Sequence, residues 1–187
     1  MSSTLSRLDG LEAARPGGWR GLAGDYYELT KPRIINLLLI TTLASMVMAA
    51  RGLPPLWITV WTLLGGALAA GSAGAFNAVI DHDVDPLMLR TRTRPVAAGR
   101  ISRRNALIFA IATGAISFAM LYLLVNPLAA WLSLGGNFYY VVIYSLLLKR
   151  NTAWNIVVGG AAGSVPPLVG WAAVTGTVGW PAVAATA

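Results

Sequence analysis

The sequence has no cysteine and a single histidine, His82. The first absence excludes a disulfide scaffold, a cysteine-based zinc site and a thiol nucleophile. The second excludes a metal centre built from several imidazoles. Charge is scarce too. Only 11% of the 187 residues are Asp, Glu, Lys or Arg, against about 25% in soluble domains. Acid is scarcest of all: the seven acidic residues lie at or before Asp85, and no residue beyond it is acidic. What fills the chain instead is apolar, with 56% hydrophobic residues and a mean hydropathy of +0.64. Neither a water-soluble globule nor a disordered chain has that balance.

The apolar residues fall into long runs. A helix needs about 20 mostly apolar residues to cross a bilayer core of roughly 30 Å. Five segments qualify, at about Ile34–Ala50, Leu56–Ile80, Ala106–Val125, Leu128–Leu148 and Asn155–Val174, and none contains a charged residue. A sixth begins at Pro181. Backbone groups in lipid must be satisfied within the segment, which makes these runs helices rather than strands. The expected fold is therefore all-α, a polytopic membrane helix bundle with about five transmembrane helices and the start of a sixth. Gly65, Gly66, Gly71 and Gly74 in the second span, and Gly159, Gly160 and Gly163 in the fifth, read as close helix contacts. Pro166 and Pro167 are expected to bend the fifth span.

Basic residues give the orientation. Every Lys and Arg except Arg51 falls before the first span, between the second and third, or between the fourth and fifth. This asymmetry puts the N-terminus in the cytoplasm. It also accounts for the net charge of +7 without any nucleic acid. Residues 1–24 have no apolar core and read as a mobile cytoplasmic tail, not a secretory signal; residues 25–187 form the transmembrane domain. The acids in the tail disfavour a transit peptide, so a cell inner (plasma) membrane is expected before a mitochondrial one.

The acids carry the chemistry. A chain that avoids carboxylates almost everywhere concentrates Asp81, Asp83 and Asp85 at the end of the second span. Positions i, i+4 and i+8 share a helical face, so Asn77, Asp81 and Asp85 line one stripe and Asp83 points away. Pro86 disfavours helix at Asp85, so the helix should end near there. Two carboxylates about 6 Å apart repel by roughly 3 kcal/mol at an effective dielectric of 20. A divalent cation removes most of that repulsion. Carboxylates with an amide oxygen suit Mg²⁺, which keeps several waters and bridges to phosphates. A solvated acidic helix end is the plainer alternative. Against it stand Arg90, Arg92, Arg94 and Arg100 in the following loop, since arginine makes forked contacts to phosphate oxygens. Cation ligands, anion ligands and an apolar cavity together fit a diphosphate on a lipid tail.

Asn77-Ala-Val-Ile-Asp81-His-Asp83-Val-Asp85 resembles the first aspartate-rich motif of the UbiA superfamily of intramembrane prenyltransferases. Tyr27 to Arg33, Arg90 to Pro95 with Gly99-Arg100, Lys149-Arg150, Asn155 to Gly160 and Pro166 to Trp171 extend the resemblance from about Asp25 to Gly176. They are most similar to the members that farnesylate heme. The resemblance implies nine transmembrane helices around a central cavity, with farnesyl diphosphate and heme B as substrates. Partner proteins of the heme pathway or of terminal-oxidase assembly are a further expectation. It implies that Asn77, Asp81 and Asp85 hold Mg²⁺ and act in catalysis, and that Arg90, Arg94 and Arg100 contact the diphosphate. Lys31, Arg33 and Lys149 are further diphosphate candidates. His82 stands where the family commonly has Arg, and reads as a solvated rim residue rather than a heme ligand. The family's second polar motif and last spans would follow Ala187, so the chain is expected to be the N-terminal portion of the domain.

Some readings stay open. Tyr139, Tyr140 and Tyr144 are either interfacial anchors or ring faces for a carbocation. A UbiA-type enzyme of quinone or chlorophyll pathways shares the aspartate motif. A non-catalytic half-site would keep only the diphosphate contacts. A cation-coupled transporter is disfavoured, because transporters place ion sites near the midplane and these acids sit at the rim beside arginines.

Overall fold

The computed structural model describes residues 18–148, 160 and 162–179. The described residues form helices and turns, with no strand among them. Helix α1 spans Trp19–Leu29, α2 Pro32–Ala50, α3 Leu56–Ile80, α4 Arg103–Leu124 and α5 Pro127–Phe138. A π-helical stretch, Tyr139–Leu148, continues α5, and α6 spans Val165–Thr175. Among the described residues, four helices are long and apolar enough to cross a membrane: α2, α3, α4 and Pro127–Leu147. At about 1.5 Å per residue, the 25 residues of α3 reach about 37 Å, enough to cross a bilayer core. Leu37, Ile40 and Leu123 point outward, as side chains facing lipid should.

Two expectations are corrected. The tail assigned to residues 1–24 overlaps α1, which is helical from Trp19. It is held because Asp25 and Leu29 are buried and the Tyr26 ring lies 5.0 Å from that of Phe109. Residues 1–17 lie outside the described residues. The fifth span is described only as the 11-residue α6, its earlier part and the segment from Pro181 lying outside the described residues. Pro166 and Pro167 open that helix rather than bend it. In the first turn their missing N–H groups have no helical partner to lose.

Hydroxyls and small residues join the helices. α3 pairs most extensively with α4, and α2 with α6. Ser72 Oγ donates to Ala110 O and Ser117 Oγ to Gly65 O, both at 2.7 Å, across α3 and α4. Ser45 Oγ donates to Pro167 O at 2.7 Å across α2 and α6. Asn126 caps α5, accepting from Ala129 N–H at 2.8 Å, while its Nδ2 donates to Ala172 O at 2.9 Å. The glycines of α3 pack as expected against Leu121 at Gly65 and Thr30 at Gly71 and Gly74, whereas Gly66 faces a cavity. Gly160 has no close neighbour among the described residues, and Gly159 lies outside them.

Gly170 is the tightest contact with backbone. A Cβ there would sit 2.5 Å from the carbonyl oxygen of Thr42, which a rotamer change cannot move. Gly170→Ala should therefore destabilise the α2–α6 pair by about 1–3 kcal/mol. Heat-induced loss of monodisperse protein in detergent would read this as a lower midpoint. An unchanged midpoint would mean that the two helices can part at no cost.

The α1–α2 corner bears on the site. Lys31 adopts a left-handed conformation (φ 58°) between the end of α1 and Pro32, which costs about 1 kcal/mol or more for a residue with a Cβ. A Cβ at Gly74 would lie 3.1 Å from Thr30 O. The absence of a side chain at 74 lets this corner rest on α3, one turn before Asn77.

Candidate diphosphate and metal site

Helix α3 stops at Ile80, and Asp81 is its C-cap. The helix thus ends five residues before Asp85, and Asp85–Leu87 is a 3₁₀ turn. The expected stripe survives nonetheless. Asp81 N–H donates to Asn77 O at 2.9 Å and Asp85 N–H to Asp81 O at 2.8 Å, so helix-like i to i+4 bonds continue past the helix end. Asn77, Asp81 and Asp85 are 3%, 4% and 5% exposed. This is not a solvated acidic helix end. Asp83 is exposed, with its carboxylate 4.0 Å from His82 Nδ1. Both lie off the stripe, as the spacing predicts for Asp83.

Contacts link the stripe to its surroundings. Asn77 Nδ2 donates to Asp81 Oδ2, and Tyr140 Oη donates to Asn77 Oδ1 at 3.3 Å. Arg94 Nη1 reaches both oxygens of Asp85, at 2.9 and 2.8 Å. Thr91 Oγ1 donates to Asp85 O at 2.9 Å. Arg94 thus joins the stripe, but on a carboxylate expected to bind metal. Arg100 goes elsewhere: its Nε donates to Asp25 Oδ1 at 2.9 Å and its Nη2 to Glu28 Oε2 at 3.4 Å. In this structure Arg100 therefore engages α1 and not the carboxylate stripe. Arg90 and Arg33 are exposed. Lys31 lines the cavity described next. Lys149 lies outside the described residues.

A largely apolar cavity of about 280 Å³ lies between α2, α3, α5 and α6, walled by Ile35, Leu38, Ala70, Ala73 and Val169 among others. Tyr140 belongs both to its wall and to the stripe, through Asn77. Its ring packs against that of Tyr144, tilted by 31° with centroids 5.3 Å apart. Tyr140 therefore connects the cavity wall to the stripe. Its only sequence signal is the i, i+4 pairing with Tyr144. Thr91 carried no such signal, although it is 2% exposed and fastens Asp85.

The donor set fits Mg²⁺. Two buried carboxylates and an amide oxygen are hard ligands, and Mg²⁺ is ordinarily held by one or two carboxylates plus phosphates and water. Among the described residues no three His, Cys, Asp or Glu side chains form a metal-holding group. The protein ligands alone are too few for a closed cage.

The UbiA prenyltransferase family model matches residues 38–187. The chain belongs to that family. It is 52% identical over 183 residues to a protoheme IX farnesyltransferase of Pseudarthrobacter chlorophenolicus, covering 98% of this chain and 57% of the relative. It is 58% identical over 155 residues to one from Synechocystis sp., covering 83% of this chain and 49% of the relative. The chain thus spans about half the length of the curated relatives it matches. In fold it is similar to a UbiA homolog from Archaeoglobus fulgidus bound to GPP and Mg²⁺, with a TM-score of 0.71 and 23% identity, over 87% of this chain and 58% of that one. The same homolog bound to DMAPP and Mg²⁺ gives a TM-score of 0.73. The apolar helices are those of a UbiA-family membrane protein.

Proposed function

We propose that the protein transfers a farnesyl group from farnesyl diphosphate to a vinyl group of heme B, giving heme O. The observation that carries this reading is the junction at Tyr140. It joins a buried carboxylate stripe to an apolar cavity, as a lipid diphosphate with a polar head and greasy tail requires. The names of the relatives support heme B as acceptor. Residues 25–187 would then be part of the transmembrane prenyltransferase domain. The N-terminus would face the cytoplasm across a bacterial inner membrane, following the basic residues.

In this scheme the allylic C–O bond breaks, and diphosphate leaves with the bonding pair. The vinyl carbon attacks the allylic carbon, water adds to the resulting heme cation, and a proton is released. Asp81 and Asp85, with Asn77, would hold Mg²⁺, which when bound neutralises charge on the leaving diphosphate. Arg94 would add a guanidinium to the departing oxygens, an electrostatic stabilisation of charge that grows in the transition state. The cavity wall would keep water from the allylic cation until the new C–C bond has formed. The Tyr140 ring, at the cavity's polar end, would face that cation.

The acceptor is the test. Membranes or detergent extracts containing the intact protein, given farnesyl diphosphate and Mg²⁺, should convert heme B to a product heavier by one farnesyl group and one hydroxyl group. 4-Hydroxybenzoate should give no prenylated product under the same conditions. Prenylation of the benzoate but not of heme would assign the protein to quinone-type chemistry instead.

A further inference from the structure

We infer that Arg94 is a resident counter-cation that holds Asp85 until a diphosphate arrives, so that the site takes up a divalent cation together with a diphosphate and not alone. This rests on the reading of Asp81 and Asp85 as metal ligands. It goes beyond that reading by giving the order in which the ligands can be held.

One guanidinium nitrogen lies within hydrogen-bond distance of both Asp85 oxygens, at 2.9 and 2.8 Å. A cation reaching Asp85 must displace that nitrogen or share an oxygen with it. The two partners are unequally free to move. The Asp85 side chain is 7% exposed and that of Arg94 is 29% exposed. Asp85 is also fixed by its backbone, through Thr91 Oγ1 and through the bond from its N–H to Asp81 O. Arg94 is thus the group that leaves, and it can do so by side-chain rotation alone. Its own backbone is tied by Arg94 N–H to Thr91 O at 3.0 Å and Ala98 N–H to Arg94 O at 2.8 Å, and the next residue, Pro95, is fully buried.

The displaced guanidinium then sits beside a divalent cation, which repels it. A diphosphate removes that conflict, because its oxygens accept from arginine in the same forked geometry as a carboxylate. Free metal must therefore take Asp85 from Arg94 uncompensated by any incoming anion, whereas metal with diphosphate displaces Arg94 onto an anion. Arg100 is engaged with Asp25 and Glu28 in this structure, away from Asp85. Coupling between two ligands is reciprocal, so diphosphate should raise the affinity for metal as much as metal raises that for diphosphate.

The test is equilibrium dialysis of Mn²⁺, as the probe for Mg²⁺, against the intact protein in detergent, with and without farnesyl thiolodiphosphate. The wild-type protein should retain Mn²⁺ weakly alone and at least about tenfold more tightly with the thiolodiphosphate. Arg94→Gln should bind Mn²⁺ alone about tenfold more tightly than wild type, and the gain from thiolodiphosphate should largely vanish. Arg94→Lys keeps a cation beside Asp85 and should stay close to wild type with Mn²⁺ alone. Should the Gln variant not fold, Arg94→Met keeps the apolar stem and should give the same tightening. Charge-removing variants that bind Mn²⁺ alone no better than wild type would overturn the inference, as would a Lys variant that tightens as much as Gln. No Mn²⁺ retention by wild type even with thiolodiphosphate would instead overturn the metal reading beneath it.

Discussion

Asp81→Asn is expected to lower Mg²⁺-dependent farnesyl transfer by about a hundredfold to a thousandfold, the loss typical when one preorganised electrostatic group is removed. The substitution keeps shape and the backbone bond from residue 81 to Asn77 O. Its amide can turn an oxygen toward Asn77 Nδ2, so the contact seen in the wild type has a replacement. What it removes is a full negative charge at a position only 4% exposed, where water screens little. Raising Mg²⁺ should recover activity poorly, because one anionic ligand is gone at any concentration. Asp83→Asn is the matched control. That acid lies two residues away, exposed and beside His82, and its loss should change activity by no more than about twofold. Full activity in Asp81→Asn would sink the assignment of the stripe to the metal. An equal loss in both variants would point to general charge at the helix end rather than to a ligand.

The stripe was legible because its signal is local. Spacing by four needs only the helical repeat, and that repeat survives the early end of α3 through two successive backbone bonds. The four long helices were legible for a similar reason: apolar length decides membrane crossing before any packing does. The helix itself ends at Ile80, five residues before the expected end near Asp85. Pro86 restricts only the residue before it, and nothing in the sequence announced that the chain would leave the α conformation at Asp81. Partner choice was the least legible. Arg94 and Arg100 look alike in sequence, yet one turns to Asp85 and the other to α1. That choice depends on where a helix 75 residues earlier in the chain comes to rest. Tyr140 was ambiguous for the same reason, since an interfacial tyrosine and a cavity tyrosine differ only in what packs against them.

Arg100 separates the two roles an arginine in this loop can play. Gly99 has φ 73°, a left-handed conformation that a residue with a Cβ adopts only at a cost. Beyond it Ile101 is buried, its N–H donating to Pro95 O at 3.0 Å. Between these fixed points the Arg100 side chain meets Asp25, with the two side chains 20% and 10% exposed. Arg100→Gln should cost about 2–4 kcal/mol. This is near the lower side of the range for breaking a buried pair, because both partners keep some contact with water. The measured quantity would be the midpoint of heat-induced aggregation in detergent. If the guanidinium serves α1 and not the substrate, KM for farnesyl diphosphate should stay within about twofold for the molecules that remain folded. A diphosphate ligand would behave in the opposite way, with KM rising steeply and the midpoint unmoved. Asp25→Asn sharpens the distinction. If Arg100 is there to offset that buried carboxylate, removing the carboxylate should remove most of the penalty, and the double variant should be more stable than Arg100→Gln alone by about 1 kcal/mol or more. Strict additivity of the two losses would mean that the ion pair carries no stabilising energy. The attachment of α1 to the bundle would then rest on Leu29, Tyr26 and the Gly74 contact instead.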